Sequence, residues 1–137
     1  MREDPFNGTW KLNVAASKLP SAPPQSVVLH IEADQDWVTL TENSIASEGG
    51  TETVTIRAQF NNQVYPVYGS ALADGFAVQR VDALTWKTRG LKAGEIVFTA
   101  TLGLAQDGGS FHEDGETTLV GGRRATMTLV YERYKEE

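Results

Sequence analysis

The chain contains no cysteine. Disulfide staples and thiolate chemistry are therefore excluded, and the redox character of the compartment leaves no mark on the sequence. No apolar run approaches the ~20 residues that a membrane-spanning helix needs, so no membrane span is expected. Positive charge is short: 12 Lys and Arg stand against 18 Asp and Glu, for a net charge of −6. The basic residues are also unclustered, which argues against a nucleic-acid partner. The one adjacent pair, Arg123-Arg124, follows Gly121-Gly122 and reads as the solvated flank of a turn. Histidine is limited to His30 and His112. There is no Ser–His–acid pattern, phosphate loop or dinucleotide motif, and no cofactor is expected. Met1-Arg2-Glu3-Asp4 reads as a solvated start without a signal-peptide pattern. Long helices are missing too. Pro20, Pro23 and Pro24 leave Asn13 to Gln25 as an extended or short-turn connection.

What remains is alternation. At 137 residues the chain is long enough for one domain, 1–137, with a real core. Val27, Leu29 and Ile31 share one face of a strand that carries His30 on the other. Trp37 to Thr41 forms a second strand, and the polar, Gly-ended stretch Asn43 to Gly50 reads as a loop. Val54, Ile56, Ala58 and Phe60 alternate inward, and Asn61-Asn62 is expected to close a two-residue hairpin. A short strand follows, interrupted by Pro66, and then the hairpin of Phe76 to Val81 with Leu84 to Arg89. Glu95 to Ala105 places Ile96, Phe98, Ala100, Leu102 and Leu104 inward. Ser110 to Glu116 is a polar strand followed by a Gly-rich loop, and the last strand turns Met127, Leu129 and Tyr131 inward. Short strands at regular spacing without helices indicate an all-β sandwich or barrel. Trp10 needs roughly 150–250 Å² of burial, and the first strand can find it by pairing with the last. The expected fold is a single closed antiparallel up-and-down β-barrel of about 8–10 strands, with no helical lid.

Both chain ends carry a resemblance. Phe6-Asn7-Gly8-Thr9-Trp10-Lys11-Leu12 and Val130-Tyr131-Glu132-Arg133 resemble the calycin group of lipocalins and fatty-acid-binding proteins. The fuller pattern resembles small bacterial lipocalin-like proteins without an assigned function. It adds Ala16-Ser17-Lys18, the Pro-rich run to Pro24, Tyr65-Pro66-Val67 and Arg80-Val81-Asp82. The resemblance implies a lumen that binds small molecules, an exported or periplasmic location, and a Trp10–Arg133 plug closing one barrel end. It has departures. The Pro-rich segment cannot supply a two-helix lid, the C-terminal helix of true lipocalins is missing, and Leu129 stands where fatty-acid-binding proteins place a carboxylate-gripping Arg.

The alternation directs Trp86, Phe98, Phe111, Met127 and Tyr131 at the interior, as candidate ligand-binding residues or as a solid core. Glu113 shares the inward face of Phe111, unless a one-residue slip turns it to solvent. An inward carboxylate must be paired, hydrated or protonated, and Arg80, in step with Phe76 and Val78, is the expected partner. Glu113 and, secondarily, His30 are the candidate acid–base groups, although both histidines fall on outer faces. His112-Glu113-Asp114 does not make a metal site, because neighbouring strand residues point opposite ways. The leading function is binding of a small, largely apolar molecule in the lumen. The alternatives are a barrel lyase, isomerase or hydrolase working by acid–base catalysis, and an interaction domain with a filled core. No motif specifies the ligand, the oligomeric state or the native compartment.

Overall fold

A computed structural model describes residues 4–20, 22–118 and 122–134. Ten strands follow one another: β1 (Gly8–Leu12), β2 (Ser26–Ala33), β3 (Trp37–Ile45), β4 (Thr51–Gln59), β5 (Tyr65–Tyr68), β6 (Gly75–Asp82), β7 (Thr85–Lys92), β8 (Glu95–Leu104), β9 (Ser110–Thr118) and β10 (Arg124–Arg133). Each pairs antiparallel with its sequence neighbour, and β1 pairs with β10 to close the barrel. No helix occurs among the described residues.

The closing register sets Trp10 opposite Arg133 and Leu12 opposite Tyr131. Beyond β1 the chain keeps to the same edge. Asn13 N–H donates to Val130 O at 2.7 Å, and Lys18 and Thr128 exchange both backbone hydrogen bonds. The Ser17 hydroxyl accepts from Val130 N–H. Residues 13–18 thus make one turn and an isolated bridge against β10, which satisfies strand donors without a helix.

One barrel end is plugged by the residues of the N-terminal motif. Trp10 is fully buried, and its indole N–H donates to Phe6 O at 2.9 Å. The Arg133 guanidinium lies 4.3 Å from the Trp10 ring centroid and donates to Pro5 O, Asn7 O and Gly108 O. Charge over an aromatic face is attractive, and three carbonyls satisfy the donors that this stacking removes from water. Gly8 is required here, because a Cβ on it would collide with the Arg133 guanidinium and its φ is +134°. Phe6 fills the space below, 4.2 Å from the Trp86 ring centroid and 5.7 Å from that of Phe111.

Three expectations are corrected. Asn61-Asn62 does not close a two-residue hairpin. The β4–β5 register begins only at Thr55–Tyr68 and Ile56–Val67, so residues 60–64 form a wider connection, with Asn62 at φ 63°. β3 does not stop near Thr41 but continues to Ile45, because β4 supplies partners through Glu42–Val54 and Asn43–Thr53. β9 likewise runs to Thr118, held by β8 and β10. The expected turn at Gly121 lies outside the described residues.

Candidate functional site

The barrel lumen contains a part-open cavity of about 110 Å³. Its walls come from β2 (Leu29, Ile31), β3 (Leu40), β4 (Val54, Ile56), β6 (Phe76), β7 (Trp86, Thr88) and β8 (Phe98, Leu102). Strand alternation alone aims these side chains inward. Space survives partly because of Gly90. It pairs with Phe98, and a Cβ there would land on the Phe98 ring. The absence of that Cβ lets the ring lie against the wall.

Into this apolar space project two carboxylates and a phenol: Glu42, Glu113 and Tyr131. Glu113 pairs across the sheet with Leu129 and Leu102, and Glu42 with Leu29 and Val54, so apolar residues flank both. Among the described residues no Lys or Arg lines the cavity. Burial pushes the Glu113 carboxyl up to about 7, with the charges of Glu42 and Asp114 adding to the effect. Burial also raises Glu42, helped by Glu52. The Tyr131 phenol is raised by burial and then by both carboxylates. The third polar feature is Trp86, which is 1% exposed and lines the cavity. Its indole N–H is buried without a hydrogen-bond partner among the described residues.

The residues singled out in the sequence divide into two groups. Trp86, Phe98, Glu113 and Tyr131 converge on the cavity. Phe111 does not line it. That ring belongs to the plug, stacked on Tyr131 at 4.8 Å and edge-on to Trp10 at 4.9 Å. Met127 packs against the core away from the cavity lining. Arg80 points inward as expected, but it does not pair with Glu113. At the plugged end it forms an ion pair with Asp4, donates to Asp34 O and Gln35 O, and stacks 3.7 Å from the Phe60 ring centroid. The reason is position along the strand. Arg80 stands opposite Trp86 at the far end of β6, beside the chain start. His30 lies on the outer wall, where Nδ1 meets the Thr9 hydroxyl at 2.8 Å. It cannot act on the lumen from there. His112 is likewise outward and exposed.

Glu42 is the site residue absent from the sequence reading. The signal for it is the continued alternation Val38, Leu40, Glu42, masked by the polar composition that follows.

A larger depression, about 490 Å³, lies on the outer wall of β6–β9 among Lys87, Arg89, Asp114 and Glu116. It is open to solvent and lined largely by polar and charged side chains, so it lacks the desolvated contacts that hold a small ligand. No group of three or more potential metal ligands occurs among the described residues, and no helix there is long and apolar enough to cross a membrane.

The geometry agrees with a known architecture. The solved structure of apocrustacyanin C2 superposes with a TM-score of 0.50 at 12% identity, over 97% of this chain and 63% of that one. The class the fold defines is therefore the closed antiparallel β-barrel, of the kind seen in apocrustacyanin C2. No protein-family model matches the sequence, and no curated protein matches it.

Proposed function

We propose that the protein binds one small, largely apolar molecule in its barrel lumen. The single observation that carries this reading is the lumen cavity, walled by aliphatic and aromatic side chains with a few convergent polar groups. Its volume is of the order of the ~150 Å³ apolar cavity known to admit benzene. A long acyl chain exceeds it, and Leu129 offers no carboxylate clamp. The lipocalin-like architecture supports the same reading. The motif likeness at both chain ends supports, within this proposal, a relation to the small bacterial lipocalin-like proteins. Acid–base catalysis would be favoured by a lumen carboxylate hydrogen-bonded to a His or Tyr. Among the described residues neither Glu42 nor Glu113 makes such a bond, and both histidines face outward.

Toluene titrated into the isotope-labelled protein should shift amide resonances of the lumen strands saturably, at one site. Leu40→Trp, which fills the cavity at an overpacking cost of about 1–3 kcal/mol, should abolish those shifts while the spectrum stays dispersed. Unsaturable shifts, or equal binding by the folded variant, would refute the lumen as a binding site.

A further inference from the structure

We infer that the lumen selects a small organic cation: an ammonium group on an apolar body about one ring in size, seated between Glu42 and Glu113. This deepens the reading above and rests on it. Both carboxylates project into one cavity whose lining, among the described residues, includes no Lys or Arg. Arg80, the inward arginine among the described residues of the barrel wall, sits at the plugged end and is committed to Asp4 and to the carbonyls of Asp34 and Gln35. Arg57 faces outward, 4.5 Å from the Trp37 ring centroid. Two uncompensated acids in an apolar enclosure repel one another and lose hydration. A bound cation is the partner that relieves both terms.

A bare metal ion does not fit. Hard divalent cations take six or more oxygen ligands, and the rest of the wall is mostly hydrocarbon. The cation must therefore bring its own apolar body. The aromatic lining of Trp86, Phe98 and Tyr131 suits such a body and adds cation–π attraction. A second observation bears on the two acids: among the described residues neither Glu42 nor Glu113 makes a side-chain hydrogen bond or ion pair, so both carboxyls meet the lumen unpartnered. The ligand class is thus an arylalkyl or short alkyl amine, rather than a fatty acid or a neutral hydrocarbon.

The test compares benzylamine, toluene and benzoate at about pH 8, where the Glu113 carboxylate is ionised. Binding is measured by calorimetry to the wild type and to Glu42→Gln and Glu113→Gln. Benzylamine should bind at least about tenfold tighter than toluene, and benzoate should not bind. Each variant should lose most of the amine preference, read as the ratio of benzylamine to toluene affinity within the same protein. If toluene binds and benzylamine binds no better, or if the amine preference survives both substitutions, the inference is overturned and lumen binding stands. If neither toluene nor benzylamine binds, the underlying reading fails as well.

Discussion

Trp10→Ala should lower the unfolding free energy by about 3–5 kcal/mol, the usual cost of emptying a fully buried aromatic site. Three effects act together at this position. The indole is completely buried, its N–H is bonded to Phe6 O, and it forms the surface on which Arg133 lies. Removing it leaves a cavity, frees the Phe6 carbonyl and strips the guanidinium of its aromatic face. The residue also stands on β1, where Trp10–Arg133 is one of three register pairs joining the first strand to the last. The loss should therefore appear as a lower transition midpoint in chemical denaturation, together with faster hydrogen exchange in β1 and β10. An unchanged midpoint would mean that the plug does not hold the barrel closed.

The second large effect is a pH dependence of unusual sign. The Glu113 carboxyl is raised from 4.5 to about 7 in the folded chain. The folded state then binds the proton more tightly than the unfolded one. The stability this group confers is full below about pH 4.5 and is lost as the pH rises through 7. At 1.36 kcal/mol per unit the loss is about 3 kcal/mol as an order of magnitude, and Glu42, raised in the same direction, adds to it. Asp34 acts with the opposite sign. Its carboxyl is held low by the amides of Trp37 and Asp36, so its contribution fades only under more acidic conditions. Glu113→Gln should abolish most of the decline between pH 5 and 8 and be more stable than the wild type above about pH 7, by up to roughly 3 kcal/mol. Urea denaturation across that range measures it. Had Glu113 been paired with a buried arginine, the same substitution would destabilise the fold by roughly 3–5 kcal/mol. That outcome would contradict the placement of Arg80 at the plug.

The barrel was legible because period-two alternation and its closing pair survive in the sequence almost without interruption. Glu113 was legible for the same reason, being two residues from Phe111 on one face. Glu42 was not. The Asn43-Ser44 stretch has the composition of a loop, and only the ladder to β4 makes it a strand. Cross-strand pairing of this kind overrides local preference. The partner of Arg80 was hidden in a different way. Alternation gives the face of a side chain but not its height in the barrel, and height decides that Arg80 meets Asp4 rather than Glu113. Phe111 shows the same limit, since its face is inward but its level is that of the plug. The orphan indole of Trp86 depends on which rings surround it, Phe6 and Phe60 among them, and those contacts are long-range.

The central claim is that the lumen holds a small molecule by an apolar body and a polar end fixed at Glu42 and Glu113. The most direct measurement is a crystal structure of the protein with benzylamine bound. The account predicts ligand density inside the barrel, the ring against Trp86 and Phe98, and the nitrogen within about 2.7–3.2 Å of a carboxylate oxygen of Glu42 or Glu113. Density only on the outer wall, or a lumen ligand whose nitrogen turns away from both carboxylates, would contradict it.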